Sequence, residues 1–301
     1  MSMSKNNGVV VFGTSPRIFD RVAGAMYGFA IGDAMGATTE FMSKEAIAKK
    51  YGCVDHIMGG GWLHLKSGCV TDDTEMMMCV CRALMVDDGD KLHRGETFGK
   101  ACRDEFVRWL SGGPADVGTQ CRKAITHMAK YGYPPIGVDV DALGNGGLMR
   151  ALPCALMGSG YRHYNILQCT MTHNNFECAE AVSIYHNNIF DLVYGYGSRW
   201  MHAPQSLLDP TGHVYNTLNN ALYWSSKAAT FSEAIIGAVN DGGDADTIAA
   251  LAGGLAGARF GYSAIPKEWR VALDSNIKGQ LDEFIFFVES HIAKQNRIFG
   301  K

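Results

Sequence analysis

The sequence predicts an all-α, single-domain protein, and three observations carry that prediction. Apolar residues recur at helical spacing along most of the 301 positions, whereas the alternation of half-buried strands is scarce. Glycines stand four apart at Gly24, Gly28, Gly32 and Gly36, and again at Gly253, Gly257 and Gly261, a spacing that a helix gathers onto one face. The Gly- and Pro-bearing connections at 112–114, 133–135 and 202–212 have neither the length nor the low complexity of an interdomain linker.

Taken in order, residues 1–17 read as an N-terminal extension and 18–301 as the domain. The first helix is expected over 20–36. Its glycines each cost roughly 1 kcal/mol against alanine, which makes sense if its backbone must approach a second helix closely. Further helices are expected over 74–86, 97–110, 119–131, 147–157, 175–189, 217–228, 232–239 and 281–293. Another apolar, glycine-bearing run follows residue 247 and is the natural partner of the first.

Composition narrows the function. Hydrophobic residues make up 47% and charged ones 19%, as in a soluble globular protein, and the formal charge of −3 offers no basic groove for nucleic acid. The longest apolar run, 248–258, falls short of the ~18 residues of a spanning helix. The first residues lack the apolar core of a signal peptide. Nine cysteines without a CxxC pair read as reduced core thiols, and with the preceding points imply a cytoplasmic location.

The chemistry concentrates in two acidic segments, 71–75 (TDDTE) and 241–247 (DGGDADT), each running into an apolar helical stretch. Singly, each reads as helix capping, since acidic and hydroxyl side chains favour a helix N-terminus and Asp72-x-x-Glu75 fits a capping box. Together they gather Asp72, Asp73, Asp244 and Asp246 with Thr71 and Thr247. Four carboxylates brought together would repel one another unless cations intervene. Hard oxygen donors suit magnesium, manganese or calcium rather than zinc or copper. Glu40 reads either as a further ligand or base, or as a surface glutamate. Asn145, within the tetrad 144–147 (GNGG), reads as a phosphate cradle or a plain turn. His173 reads as a helix start, a core residue or a catalytic group.

In order, Gly32-Asp33-Ala34-Met35-Gly36 with Glu40, Thr71-Asp72-Asp73-Thr74, Gly144-Asn145-Gly146, Thr172-His173 and Gly243-Asp244-Ala245-Asp246-Thr247 resemble the ADP-ribosylglycohydrolase family over roughly residues 18 to 290. Segments 58–66 (MGGGWLHLK) and 113–118 (GPADVG) point to its branch from nitrogen-fixing bacteria. Asp141 stands three residues before Gly144 where relatives place an Asp two before, and Asn174-Asn175 replaces their second His and Pro.

That resemblance implies a helical fold with two divalent cations, Mn2+ or Mg2+, in a cleft. It implies hydrolysis of ADP-ribose from an arginine of dinitrogenase reductase, the nitrogenase iron protein. Thr71, Asp72, Asp73, Asp244, Asp246 and Thr247 would be the metal ligands. Glu40 would lie beside the metals, and Asp116 would transfer a proton at the ribose. Asn145, Gly146 and His173 would line the ADP-ribose cleft, with His213 stacking on adenine. It further implies control by a PII-type signalling protein and reversible membrane association through an ammonium channel. The alternatives are hydrolysis of another linkage or protein, a non-catalytic ADP-ribose sensor, and an isoprenoid synthase, whose acidic metal motif Asp72-Asp73-x-x-Met76 would leave without its final acidic residue.

Overall fold

A computed structural model describes residues 16–86, 94–195, 203–205 and 208–299. Among them lie helices α1 (Pro16–Gly36), α2 (Lys44–Tyr51), α3 (Asp72–Val86), α4 (Arg94–Ser111), α5 (Thr119–Tyr131) and α6 (Leu152–Leu156). They continue with α7 (Arg162–Thr170), α8 (Phe176–Tyr194), α9 (Val214–Lys227), α10 (Phe231–Asp241), α11 (Ala245–Phe260), α12 (Lys267–Ala272) and α13 (Ser275–Phe299). Among the described residues there is no strand, only isolated bridges. Most of the N-terminal extension lies outside the described residues; α1 already begins at Pro16, just before the expected boundary.

The glycine stripes do what their spacing suggests. A Cβ at Gly28 would lie 2.3 Å from the carbonyl oxygen of Gly253, and one at Gly32 would lie 2.0 Å from that of Ala249. From the other side, a Cβ at Gly257 would lie 1.9 Å from the Gly24 oxygen. The two backbones therefore touch along about three turns, and no side chain larger than hydrogen fits between them. Gly261 closes the stripe: it ends α11 with φ +88°, and a Cβ there would lie 2.0 Å from Asp20 Oδ2 on α1.

The pairing runs antiparallel, since Gly24 meets Gly257 while Gly36 meets Ala245. That direction sets the geometry of everything else. It brings the C-terminal end of α1, and Glu40 just beyond it, against the N-terminal end of α11, where Asp244, Asp246 and Thr247 stand. Of the 16 residues of α11, 14 are buried, so the helix is covered all round, which is why its apolar residues show no single face. The surrounding helices α3, α8, α9, α10 and α13 close the core around this pair.

Most expected helices are present with ends shifted by a few residues. The exception is 147–157. There a 3-10 turn at Asn145–Gly147 is followed by turns, and α6 spans only Leu152–Leu156. Pro153 lacks an N–H and its ring would meet the Met149 carbonyl in a continuous helix, so the helix restarts at Leu152. Helices α2, α7 and α12 were not expected from the pattern. The buried face of α7 is Tyr164, Asn165, Gln168 and Cys169, and two amides among four positions disguise its period. All nine cysteines are free, seven of them buried.

Candidate active site

The first acidic segment opens α3, whose leading N–H groups need acceptors. Asp33 on α1 supplies them. Its carboxylate accepts from Thr71 N (3.0 Å), Thr74 N (3.0 Å) and the Thr74 hydroxyl (2.5 Å). A residue 38 positions earlier thus caps the helix through tertiary structure, so Asp72 and Asp73 are not needed for it. The capping-box reading fails on the same geometry, because Glu75 accepts from the Trp109 indole at 2.7 Å instead. Asp33 is completely buried, and burial pushes its carboxyl up to about 6 against the pull of those hydrogen bonds.

Freed from capping, Asp72 and Asp73 line a cleft of about 260 Å³. Asp73 Oδ2 accepts from the hydroxyls of Thr71 (3.2 Å) and Thr247 (3.3 Å), tying the two acidic segments together. Asp73 Oδ1 is buried with no hydrogen-bond partner. The second segment repeats the device: Asp244 begins α11 without a side-chain cap, its Oδ2 accepting instead from Asn145 Nδ2. Glu40, Asp244 and Asp246 each offer a carboxylate oxygen, all within 4.8 Å of one another.

The electrostatics are one-sided. Burial, and then the neighbouring carboxylates, push Asp72 up to about 7 and raise Asp73 and Asp246 well above the usual carboxylate range. Glu40 is pushed up to about 8, chiefly by burial, although the Trp62 indole donating at 2.6 Å opposes this. Among the described residues, no Lys or Arg lines the cleft. Five buried or half-buried carboxyls without a Lys or Arg on the cleft, one with an orphaned oxygen, fit hard divalent cations.

Asp116 lies on the same cleft, half-buried, its Oδ1 accepting from Val117 N at 2.7 Å. The other wall carries Gly144, Asn145, Gly146 and His173. A Cβ on Gly146 would lie 2.8 Å from both His173 Cε1 and Cys121 Sγ, so the Nε2 side of the imidazole packs against the glycine turn. His173 does not begin α8; Asn175 caps that helix. Behind His173, the fully buried Arg150 donates to the Thr172 hydroxyl (2.6 Å), which lies 2.8 Å from His173 Nδ1. A hydroxyl that accepts from arginine has its proton for Nδ1, which leaves the ring proton on Nε2. Burial and the Arg150 charge bring His173 down to about 3, which favours the neutral imidazole that this hydrogen-bond chain calls for.

The cleft therefore brings together Glu40, Asp72, Asp73, Asp116, Asn145, Gly146, His173, Asp244, Asp246 and Thr247. Thr71 reaches it through Asp73. His213 stands beside it rather than in its wall: it caps α9, accepting from Tyr215 N at 3.3 Å, and its backbone pairs with Gly144. Asp141 is exposed, while Asp139 accepts from Gln120, which does line the cleft. Asp33, Phe41, Trp62 and Gln120 also stand at or behind the site, with no role expected of them from the sequence. Asp33 had a signal, as the sole charge after Arg21 in an otherwise apolar helix.

The family model of the ADP-ribosylglycohydrolases matches residues 14–296. The chain belongs to the ADP-ribosylglycohydrolase family. It is 35% identical over 286 residues to the ADP-ribosyl-[dinitrogen reductase] glycohydrolase of Rhodospirillum rubrum, covering 89% of this chain and 95% of that protein. The ADP-ribosylarginine hydrolase Tri1 of Pseudomonas putida is 28% identical, over 88% of this chain and 78% of its own. A solved structure, described as an ADP-ribosylglycohydrolase-related protein complex, superposes with a TM-score of 0.76 at 27% identity, covering 94% of this chain and all of that one. This ADP-ribosylglycohydrolase is accordingly an enzyme of the glycohydrolase class, and the isoprenoid-synthase alternative falls away.

Proposed function

We propose that this chain is a divalent-cation-dependent hydrolase that removes ADP-ribose from an arginine side chain, with dinitrogenase reductase its target protein. The observation that carries the cation dependence is the unpartnered, buried Asp73 Oδ1 in a cleft lined by carboxyls and, among the described residues, by no Lys or Arg. The arginine linkage and the target rest on the names of the Rhodospirillum and Pseudomonas relatives.

Thr71, Asp72, Asp73, Asp244, Asp246 and Thr247 would hold the two cations, Mn2+ or Mg2+. When bound, such ions polarise oxygen and lower the pKa of water, which supplies a nucleophile near neutral pH. The chain's own residues do the remainder. Hydrolysis breaks the bond between the ribose anomeric carbon and the guanidine nitrogen; water oxygen joins the carbon, its proton must be removed, and guanidine must receive one to leave. We assign these proton movements to Glu40 and Asp116, the two cleft carboxyls outside the six-ligand set. The neutral His173 would donate Nε2–H to an oxygen of the ADP-ribose, and the close-packed Gly144 and Gly146 backbone would let that group approach. His213 is assigned to the adenine end of the cleft. Control by a PII-type protein and attachment to a membrane through an ammonium channel belong to this reading on sequence resemblance alone. Among the described residues, no helix is long and apolar enough to cross a membrane.

The test is release of free ADP-ribose from arginine-ADP-ribosylated dinitrogenase reductase by chelator-treated protein, with and without Mn2+. Release that requires the cation is expected. Equal release in chelator would refute the cation dependence. Binding of ADP-ribose without any release would favour a sensor.

A further inference from the structure

We propose that Phe41 and Trp62 form an aromatic lip on the cleft that receives a guanidinium group, making the site selective for arginine-linked substrates. The proposal rests on the arginine reading above and deepens it.

Two costs single out Phe41. Its φ is +61°, and among the described residues only His64 is another non-glycine at positive φ. For an aromatic residue that conformation is a true outlier. The ring is also 68% exposed, so the strain brings no burial in return. The conformation is held from outside. Phe41 N donates to the Gly243 oxygen at 2.7 Å, and Gly243 N donates to the Met42 oxygen at 2.9 Å. The second acidic segment thus pins Phe41 in place, and the residue lines the cleft.

Trp62 arrives by a separate glycine turn. Gly59, Gly60 and Gly61 all have positive φ, and a Cβ on Gly61 would lie 1.9 Å from the Ala37 oxygen. This turn therefore packs directly on the chain leaving α1. Trp62 is 47% exposed, and its indole donates to Glu40 Oε2 at 2.6 Å. The two ring centroids lie 5.5 Å apart, tilted by 46°. A structural pair would be covered; this one is presented to solvent beside carboxylates.

The charge decides the occupant. Glu40, bonded to one ring, stands with Asp72, Asp116 and Asp244 on a cleft that, among the described residues, no Lys or Arg lines, so the lip lies in the field of an acidic cleft wall. A planar cation gains from both the π faces and that field, and guanidinium stacks on aromatic faces better than any other side-chain cation. Adenine, being neutral, would gain only the stacking. The scissile bond of an arginine-linked ADP-ribose carries such a group next to the anomeric carbon.

The test compares ADP-ribosylagmatine, whose leaving group is a guanidine, with ADP-ribose itself, in wild-type protein and Phe41→Leu. Leucine keeps apolar bulk and removes the π face. The KM for ADP-ribosylagmatine is expected to rise about fivefold or more, with kcat within about threefold and inhibition by ADP-ribose unchanged. If Phe41→Leu does not fold, Phe41→Gly relieves the φ strain and is expected to show the same split. An unchanged KM would overturn the lip, and so would an equal weakening of ADP-ribose, which would place adenine there. If wild-type protein fails to turn the compound over, the arginine-hydrolase reading fails on its own. ADP-ribosylagmatine is then a stable ligand, and calorimetry decides the lip: tighter binding than ADP-ribose, lost in Phe41→Leu, supports it, and equal binding overturns it.

Discussion

Asp33→Asn tests how the site is assembled. The Asp33 carboxylate takes four contacts from the start of α3, with Oδ2 meeting Thr71 N, Thr74 N and the Thr74 hydroxyl, and Oδ1 meeting Thr71 N. Asparagine can keep one oxygen on the Thr74 side, but its amide then points N–H against the Thr71 N–H. One hydrogen bond to a charged acceptor is lost, worth about 1.5–3 kcal/mol. Removing the negative charge from the helix start costs about 0.3–2 kcal/mol more. Relief of the buried charge offsets part of this, since burial already pushes Asp33 up to about 6. A net loss of roughly 2 kcal/mol lowers the melting midpoint by about 3 °C, taking an unfolding entropy of ~2.1 cal/mol/K per residue over the 301 residues. Calorimetry at pH 7.5 in chelator measures it. A second effect should accompany the first: the exposed N–H donors draw Asp72 or Asp73 into capping, and Mn2+ affinity by titration should fall at least tenfold, as for other changes behind metal ligands. An Asp33→Asn variant as stable as wild type, with undiminished Mn2+ affinity, would refute the argument and return capping to Thr71 and Asp72.

Three further outcomes are expected. Gly32→Ala places a methyl 2.0 Å from the Ala249 oxygen with backbone on both sides, so it should destabilise by about 3 kcal/mol or more in urea unfolding. Asp246→Asn should lower turnover of an arginine-ADP-ribosylated protein by well over ~10-fold at saturating Mn2+, and near-normal turnover would remove it from the ligand set. Thr172→Val removes the hydroxyl between Arg150 and His173 Nδ1; nitrogen NMR should show loss of the single Nε2–H form and KM should rise ~5-fold, whereas Thr172→Ser should restore both.

Much of this was legible because it is local or periodic. The four-residue glycine spacing announced the contact of α1 with α11, and the repeated acidic segments announced the cleft. Other features depend on contacts that no local pattern records. The cap of α3 comes mainly from Asp33 on another helix, with Thr71 Oγ1 accepting weakly from Asp73 N at 3.4 Å, so local capping rules found only the lesser part of it. Helix α7 was hidden because Asn165 and Gln168 are buried to serve polar partners rather than to pack apolar surface: Asn165 donates to the Ala151 carbonyl, and Gln168 meets Arg150 and the Gly147 carbonyl. The broken stretch 147–157 carried its signal in Pro153, but the apolar run around it suggested a continuous helix. Phe41 gave no sign, since its conformation is imposed by Gly243, far along the chain.

The central claim is that the buried carboxyls exist to hold cations, and stability against pH tests it most directly. A carboxyl whose folded pKa lies above its unfolded value binds its proton more tightly when folded. Its contribution is therefore lost as pH rises from the unfolded value through the folded one. Here the unfolded values are 3.8 for Asp and 4.5 for Glu, and the folded ones reach about 6 for Asp244, 7 for Asp72 and 8 for Glu40. The melting midpoint of cation-free protein should accordingly fall between about pH 5.5 and pH 8. Added Mn2+ should raise it, and should raise it more at about pH 8, where the ligands are deprotonated. A midpoint that is flat or rising over that range, and indifferent to Mn2+, would contradict the account.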